Sequence, residues 1–237
     1  MSKAKVYLIP NFLGPEVSEN RSFPSENKEI LVSLSHFAVE NLKDARRFLV
    51  RLGLKSKIDK SEFYILDKKS DWDDIKPMIT ALKEGNSIGI ITDAGCPGIA
   101  DPGSLLVKHA HMNGFQTLPL IGPSSILLAL MASGFNGQSF TFKGYLNRDS
   151  AIKTKEIREM ENLANHKYQT QIFMETPYRN ESMWEDLMKT LQGETKLCIA
   201  SNITLPNEYI KTKTVTEWKK SNKQNLAKIP AIFLLGS

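Results

Sequence analysis

The sequence predicts an α/β protein built from two α/β domains, and three observations lead to this prediction. Short apolar segments alternate with amphipathic helical patterns through the first half of the chain. A second set of strand and helix patterns begins near residue 138, with both hairpin-like and crossover spacings. A length of 237 residues is sufficient for two small domains. We place the domains at residues 1–120 and 121–237, joined by the turn at residues 120–125.

The first set of elements is predicted to form a mostly parallel sheet. Its strand patterns fall at residues 5–9, 36–39, 62–66, 88–92 and 115–120, and its helical patterns at residues 25–34, 42–52, 71–85 and 104–112. Asp71 can cap the third helix, and Gly53 and Gly85 can end the second and third helices. Pro77 predicts a local kink in the third helix unless that helix begins later.

The second set follows an apolar helical pattern at residues 124–132, which ends at Gly134. Strands are predicted at residues 140–146, 170–174, 196–200, 208–214 and 229–235, and helices at residues 151–163 and 178–191. Trp184 and Met188 lie four apart on the last of these helices, where they can belong to the core or to a dimer interface.

Charge leaves the class of partner open. Lys and Arg outnumber Asp and Glu by 31 to 26, which gives a formal net charge of +5 and permits a nucleic-acid partner without requiring one. The excess is clearest near the C-terminus, where six lysines accompany only two acids: Lys211, Lys213, Lys219, Lys220, Lys223 and Lys228, with Glu208 and Glu217. A solvated surface is the ordinary explanation of such a run.

Several classes of protein do not fit the sequence. No apolar run approaches the ~18 residues of a membrane span, and the apolar part of the N-terminus is too short for a secretory signal. Cys96 and Cys198 do not form a disulfide framework, so we expect a cytoplasmic protein. The four histidines lack zinc-site spacing, so no metal is expected. Both common glycine-rich nucleotide signatures are absent.

The most informative segment is a loop of small residues between a strand and a helix. Residues 93–103 read Asp-Ala-Gly-Cys-Pro-Gly-Ile-Ala-Asp-Pro-Gly and follow an apolar strand pattern. This layout binds ligands beyond the carboxyl ends of strands in α/β proteins. Asp93 and Asp101 can accept hydrogen bonds from an amine or a ribose hydroxyl. A tight connection in which Asp101 caps the next helix is the alternative.

Two further segments carry polar groups at strand ends. Residues 119–125 read Pro-Leu-Ile-Gly-Pro-Ser-Ser and enter an apolar helix, whose first amides can be capped by Ser124 and Ser125 or bind a ligand carboxylate. Residues 173–179 read Phe-Met-Glu-Thr-Pro-Tyr-Arg. Glu175 and Arg179 are therefore candidates for chemistry, with a structural ion pair as the alternative.

Taken in order, these segments resemble a known family. Residues 92–103 resemble the signature Ser-Asp-Ala-Gly-Thr-Pro-x-Ile-Ser-Asp-Pro-Gly of the small-subunit ribosomal RNA 2′-O-ribose (cytidine) methyltransferases, within the tetrapyrrole methylase superfamily. Residues 119–125 resemble its Pro-Leu-Pro-Gly-Pro-Ser/Cys turn, and residues 173–179 its Tyr-Glu-Ser-Pro-His-Arg segment. Residues 37–49 are similar to its Ala-Ala-Glu-Asp-Thr-Arg segment.

The resemblance implies methyl transfer from S-adenosylmethionine, with the cofactor in a cleft between two α/β domains, and a homodimer. By matched position, it places the cofactor contacts, several of them through the backbone, at eight residues: Phe12, Asp93, Cys96, Ser124, Ser125, Met174, Ala200 and Ala231. It also nominates Glu40 and Glu175 as candidate general bases, and Lys43, Arg46 and Arg179 as substrate contacts. If RNA is the acceptor, Arg47 and Arg51 should join Arg46 and the C-terminal lysines in neutralising phosphates.

The sequence departs from the family mainly where the substrate is expected. Asn41 replaces an Asp, Lys43 an Arg, Tyr178 a His, and Ser201-Asn202 an Arg-Glu pair, while residues 10–15 also differ. The resemblance therefore supports methyl transfer more strongly than it supports a given acceptor. The acceptor that it implies is a ribose 2′-hydroxyl of ribosomal RNA. A tetrapyrrole or other small-molecule methyltransferase and a non-catalytic S-adenosylmethionine-binding protein remain alternatives.

Overall fold

The computed structural model describes residues 4–17, 22–221 and 224–237, and the chain divides into two compact units, Met1–Ser124 and Ser125–Ser237. Each unit holds one five-stranded sheet, which confirms the predicted α/β class. In the part of the chain that is described, no helix combines the length and apolarity needed to cross a membrane.

The sheet of the first unit is entirely parallel. Its strands are β1 (Lys5–Ile9), β2 (His36–Val39), β3 (Glu62–Ile65), β4 (Ile88–Ile91) and β5 (Gln116–Pro119), in the order β3-β2-β4-β1-β5. The helices are α1 (Ser25–Ser33), α2 (Leu42–Arg51), α3 (Lys55–Ile58), α4 (Trp72–Lys83) and α5 (Gly103–Met112). All four residues of β4 are buried, as expected for a central parallel strand.

Local signals place the helix ends in this unit. Asp71 and Asp74 form a reciprocal capping box at the start of α4. The helix continues past Pro77 as a single element, Trp72–Lys83. Gly53 and Gly85 both adopt positive φ after their helices, as the C-terminal stop requires. The short helix α3 was not predicted, because four residues carry no periodic pattern.

The strand order creates a ligand-binding position at the carboxyl ends of β2 and β4. The connection after β2 leads outward to β3, whereas the connection after β4 leads to β5 on the opposite side of the sheet. Adjacent parallel strands whose connections diverge in this way leave a crevice beyond their carboxyl ends. Glu40 follows β2 and Asp93 follows β4, so both predicted site residues border this crevice.

The second unit has a mixed sheet. Its strands are β6 (Phe140–Tyr145), β7 (Thr170–Met174), β8 (Lys196–Ser201), β9 (Tyr209–Thr214) and β10 (Ala231–Gly236), in the order β6-β7-β10-β8-β9. Only the β6–β7 pair is parallel among these strands. The helices are α6 (Ser125–Ser133), α7 (Ser150–Lys167), α8 (Asn180–Thr190) and α9 (Val215–Lys220), with a 3₁₀ turn at Pro177–Arg179.

Two helices of this unit differ from the sequence prediction. Helix α7 extends to Lys167, four residues beyond the predicted end, and stops only where Tyr168 adopts a left-handed conformation. Helix α9 was missed, although Thr214 and Glu217 form a capping box that the sequence displays at the correct spacing.

The core of the second unit settles the role of Trp184. Its indole is buried and packs edge-on against that of Trp218, with ring centroids 5.4 Å apart. Met188 packs against the same cluster. These two side chains therefore belong to the core, and they provide no support for a dimer interface.

Candidate functional site

Asn11 ties together the loops that follow β1 and β4. Its backbone pairs with that of Gly95 in both directions, at 2.9 and 3.1 Å. The buried amide side chain donates to the carbonyl oxygens of Thr92 (2.9 Å) and Asp93 (3.2 Å), and its oxygen accepts from the Phe12 N–H. The backbone that carries Phe12 and Asp93 is thus held by one side chain. Sequence analysis did not single out Asn11; the available signal was a polar residue close behind an apolar strand.

The loop after β5 is joined to the same edge. The Cys96 thiol donates to the carbonyl of Pro123 at 3.4 Å. Gly122 lies against Pro10 so closely that a Cβ at position 122 would stand 2.2 Å from the proline Cγ. Glycine is therefore required at position 122, and three loops form a continuous rim beyond β1, β4 and β5.

The loop at residues 93–103 is folded around one of its two acids. Asp101 Oδ1 accepts the backbone N–H groups of Gly98 and Gly103, the latter at 2.8 Å, so this carboxylate caps the first amide of α5. Gly98 and Ala100 both take positive φ, at 81° and 59°. Asp101 therefore has a structural role, as the alternative stated above expected.

Glu40 and Asp93 keep unbonded carboxylates: neither makes a side-chain hydrogen bond or ion pair with the described residues. Desolvation by burial raises the pKa of Glu40, and the negative charges of Asp93 and Asp101 raise it further, against the lowering effect of Lys68. Desolvation, Asp44 and Asp101 likewise raise the pKa of Asp93. Two carboxylates without an ion-pair partner, both at the carboxyl ends of the strands, favour binding of a cationic ligand or of a proton.

The thiol of Cys96 is not activated. Burial raises its pKa, and the charge of Asp101 acts in the same direction. The protonated thiol donates to the Pro123 carbonyl, so Cys96 shapes the rim and is not a nucleophile.

Phe12 is buried in an aromatic cluster with Phe23 and Phe48, at centroid distances of 5.8 and 5.9 Å. The guanidinium of Arg51 lies 3.8 Å from the Phe12 ring centroid and donates to the carbonyl oxygens of Gly14 (3.0 Å) and Val17. A ligand contact at Phe12 is thus left to its backbone. The expectation that Arg51 neutralises phosphates is wrong. Its N–H groups already donate to carbonyl oxygens of the segment after β1, and the plane of its guanidinium already packs on the Phe12 ring.

Three predicted contacts of the second unit lie at one edge of its sheet. Met174 ends β7 and pairs with Ile232, while Ala231 begins β10 and pairs with Ser201 at the end of β8. Antiparallel pairing therefore brings Met174, Ala200 and Ala231 together, although they are far apart in sequence. Their role in cofactor binding stays a prediction, as do those of Ser124 and Ser125, which lie at the start of α6.

Glu175 and Arg179 form an ion pair next to the same edge. Arg179 Nη2 lies 2.8 Å from Glu175 Oε2, and Glu175 Oε1 accepts the Thr176 N–H at 2.7 Å. The Glu175 side chain is only 3% exposed. Both carboxylate oxygens are engaged, so the geometry corresponds to the structural ion pair that sequence analysis left open. Glu40 is the better candidate for proton transfer.

The outer side of α2 carries a basic groove, here called the α2 groove. It has a volume of about 740 Å³ and is lined mainly by residues of that helix, including Lys43, Arg46 and Arg47. These three side chains are exposed, although Arg47 also meets Asp44 at 3.1 Å. The α2 groove begins at Asn41, which directly follows Glu40 in the chain.

The C-terminal lysines are not gathered into a comparable site. Lys213 lies over the indole of Trp218, 4.9 Å from the ring centroid, while Lys219 and Lys220 occupy the last turn of α9. Lys223 lies outside the described residues. Across the described ranges, no group of three or more His, Cys, Asp or Glu side chains could hold a metal ion.

Comparison with known proteins identifies the family. Residues 39–219, well over half of the chain, match the family described as Tetrapyrrole (Corrin/Porphyrin) Methylases. The chain belongs to the tetrapyrrole methylase family. The resemblance inferred from the sequence motifs is thereby confirmed at the level of the superfamily.

Two curated relatives that resemble this chain share one name. A Vibrio cholerae protein named Ribosomal RNA small subunit methyltransferase I is 29% identical over 189 residues, which cover 80% of this chain and 62% of that protein. A Bacillus subtilis protein of the same name is 34% identical over 140 residues, 59% of this chain and 46% of the relative. This chain thus spans less than two thirds of the length of either relative.

Solved structures share the fold at low identity. The methyltransferase CobJ has a TM-score of 0.64 at 16% identity and covers 99% of this chain and 94% of its own. Uroporphyrin-III C-methyl transferase from Thermus thermophilus, solved with S-adenosylhomocysteine, has a TM-score of 0.55 at 14% identity. Tetrapyrrole methylases are thus similar to this chain across both units.

One departure from the methylase motifs acquires a structural explanation. Asn41 caps α2, where its side-chain oxygen accepts the N–H groups of Lys43 (2.9 Å) and Asp44 (3.4 Å). Asn and Asp cap helices equally well, so this position keeps its capping role while losing one negative charge.

A second departure, Tyr178, has no structural explanation. Its side chain is 81% exposed, and no contact in the described residues explains its replacement of His.

Proposed function

We propose that this protein is an S-adenosylmethionine-dependent methyltransferase that acts on ribosomal RNA, at a ribose 2′-hydroxyl. The observation that carries the proposal is the rim beyond β1, β4 and β5, with the unbonded carboxylate of Asp93 on it and that of Glu40 after β2, in a chain of the tetrapyrrole methylase family. The names of the relatives support the acceptor class.

The rim suits the cofactor for reasons of charge and shape. S-adenosylmethionine carries a sulfonium and an ammonium, and uncompensated carboxylates such as Asp93 attract both. Positive φ at Gly95 and the close packing of Gly122 on Pro10 set the backbone path of this rim. We assign Asp93 and the backbone of Phe12 and Cys96 to cofactor binding. Met174, Ala200 and Ala231 stay predictions that rest on the resemblance to the family.

When bound, S-adenosylmethionine supplies a methyl group already activated by the sulfonium. The protein then contributes orientation, together with removal of the proton from the acceptor hydroxyl. We assign removal of that proton to Glu40. Two observations support this: its carboxylate has no hydrogen-bonding partner among the described residues, and its pKa is raised, chiefly by desolvation. A raised pKa makes the carboxylate a stronger base than an exposed glutamate.

The charge pattern of the first unit favours RNA over a tetrapyrrole acceptor. Tetrapyrrole precursors carry several carboxylates, which the acidic edge at Glu40 and Asp93 would repel. RNA presents a neutral ribose hydroxyl next to phosphates, and the α2 groove offers three exposed cations for those phosphates. A bacterial cytoplasmic location and a homodimer are part of the same proposal.

The test is methyl transfer to small-subunit ribosomal RNA taken from a strain that lacks this protein. Purified protein and S-adenosylmethionine should restore one ribose methylation, detected by mass spectrometry of nuclease digests. Binding of the cofactor without transfer to RNA or to small-molecule pools would establish the non-catalytic alternative. A methylated tetrapyrrole would overturn the RNA assignment.

A further inference from the structure

The most exposed aromatic residue in the described part of the chain is Tyr178. It lies in the 3₁₀ turn Pro177–Arg179 after β7 and is 81% exposed, whereas the next aromatic residue in this order, Tyr168, is 66% exposed. Within the described ranges, the Tyr178 side chain makes no hydrogen bond, ring contact or ion pair. Its ring is therefore fully available to a ligand.

The backbone on both sides of Tyr178 is fixed. Pro177 has a restricted φ, and its carbonyl oxygen accepts the N–H of Lys228 at 3.0 Å. The N–H of Arg179 donates to the carbonyl oxygen of Thr176 at 2.8 Å. The turn is thus bonded both within itself and to the segment that precedes β10.

Side chains hold the same turn from below. Arg179 forms the ion pair with Glu175 at 2.8 Å. Asn180 is fully buried, and its amide donates to the carbonyl oxygen of Ile229 at 2.6 Å. The Tyr178 ring is therefore carried by an ordered backbone, so a ligand that covers the ring does not have to order the chain first.

The turn lies at the edge of the sheet where cofactor contacts of the second unit are predicted. Strand β7 ends at Met174, four residues before Tyr178. Lys228, whose N–H bonds to the turn, precedes the first residue of β10, Ala231. A group that rests on the Tyr178 ring would therefore lie at the same end of this sheet as those predicted contacts.

Charge around the turn is largely compensated. Arg179 is paired with Glu175, and the carboxylate of Glu181 accepts the Leu226 N–H at 2.8 Å, while Lys228 is an exposed cation. A polyanion gains little from charge here, whereas a planar uncharged group gains by covering the ring. Nucleobases are such groups, and single-stranded RNA is commonly bound by stacking of its bases on aromatic side chains.

We propose that the Tyr178 ring stacks on a base in a single-stranded stretch of the acceptor RNA. The inference rests on the proposed function and adds to it an RNA contact from the second unit. It also gives a reason for Tyr178 at a position where the methylase motif has His, because the phenol ring is larger than an imidazole and offers more stacking surface.

The decisive variant is Tyr178→Ala in the full chain. Its affinity for unmodified small-subunit ribosomal RNA, measured by filter binding with S-adenosylhomocysteine present, should fall about fivefold or more, as expected for the loss of one base stack. The slope of log K against log salt should stay unchanged, because the ring carries no charge. Affinity for S-adenosylmethionine by calorimetry should equal that of wild type, which also shows that the variant is folded.

Three further variants separate stacking from other contacts. Tyr178→Phe keeps the ring without its hydroxyl and should bind RNA like wild type. Tyr178→His, which restores the residue of the methylase motif, should lose less affinity than Tyr178→Ala. Tyr168→Ala is the matched control and should retain wild-type affinity, because this second exposed ring precedes β7 and lies at the opposite end of that strand.

Four results would overturn the inference. Wild-type RNA affinity in Tyr178→Ala would remove the ring from the RNA site, and equal losses in Tyr178→Phe and Tyr178→Ala would assign the contact to the hydroxyl. Loss of S-adenosylmethionine affinity with intact RNA affinity would place the ring on the adenine of the cofactor. A loss seen only with whole small ribosomal subunits, and not with naked RNA, would assign the ring to a ribosomal protein.

The proposed function fails in a different way. Binding is measured without turnover, so wild-type protein that binds RNA and the cofactor but transfers no methyl group would refute the proposed reaction, while the affinities of the Tyr178 variants still decide the stack. Wild-type protein that binds no RNA would overturn both.

Discussion

At the scale of single residues, Asp93 offers the most direct test of the cofactor site. Its carboxylate is exposed at the rim and unbonded within the described part of the chain. Asp93→Ala should weaken S-adenosylmethionine binding by about 1–3 kcal/mol, the cost of leaving a polar ligand group unpaired. Isothermal titration calorimetry measures the change. Asp59→Ala, at an exposed acid after α3, should bind like wild type; equal affinity in both variants would remove Asp93 from the site.

Glu40 predicts a pH dependence whose direction follows from its neighbours. A base must be ionised, so transfer should decline as pH falls through the raised pKa of Glu40, which desolvation and Asp93 raise most. Lys68 lowers that pKa and Asp67 raises it. Lys68→Met should therefore move the acid limb of log kcat to higher pH, and Asp67→Asn should move it to lower pH. Shifts in the same direction, or none, would exclude Glu40 as the titrating base.

The same raised pKa affects stability with a definite sign. Because Glu40 binds its proton more tightly in the folded state, its contribution disfavours folding once pH rises above the ordinary carboxyl range.

At the scale of elements, the Asn11→Ala variant tests the link between the β1 and β4 loops, because it removes the side chain that joins them.

For Asn11→Ala, we expect the free energy of unfolding to fall by about 1–3 kcal/mol, because Asn11 makes buried bonds to two carbonyls and one N–H. Urea denaturation measures this change, and cofactor affinity should fall with it. Asn113→Ala removes a single side-chain bond, to His109 at the end of α5, and serves as the control. Cofactor affinity that survives in Asn11→Ala would show that the rim does not depend on this link.

Helix α2 presents one arginine to the fold and another to solvent. Arg51 bonds to the segment after β1, whereas Arg46 is exposed, lines the α2 groove and makes only a distant contact with the fold, 6.0 Å from the Phe63 ring centroid. Arg51→Met should lower the midpoint of urea unfolding and leave the salt slope of RNA binding unchanged. Arg46→Met should reduce that slope by ~0.7 and leave the unfolding midpoint unchanged. The reverse pattern would contradict the assignment of both residues.

For the whole molecule, the prediction is a homodimer. The monomer mass is 26.7 kDa, so light scattering should find a species of twice that mass. Helix α6 exposes Leu127 and Met131, which lie on one side of the helix and are 50% and 79% accessible. Met131→Lys should shift the equilibrium toward monomer at low concentration. A single species of monomer mass at all concentrations would refute the dimer.

Much of the fold was available from the sequence because its signals are local. Apolar periodicity located all ten strands found in the described residues, and Asp71, Gly53 and Gly85 marked helix ends correctly. The small-residue loop at residues 93–103 identified the family through its own order of residues. Each of these inferences needs only neighbours a few positions away, where backbone sterics and capping act.

The partners of individual side chains were decided by the tertiary structure. Arg46 and Arg51 have the same chemistry and lie on one helix, yet packing against Phe12 commits Arg51 to the fold. Asp93 and Asp101 occupy one loop, and only Asp101 is used by the backbone around it. The rim joins residues of three separate loops, which follow β1, β4 and β5. Such contacts depend on strand order and on distances between remote segments, and a linear sequence of residue types does not contain those distances.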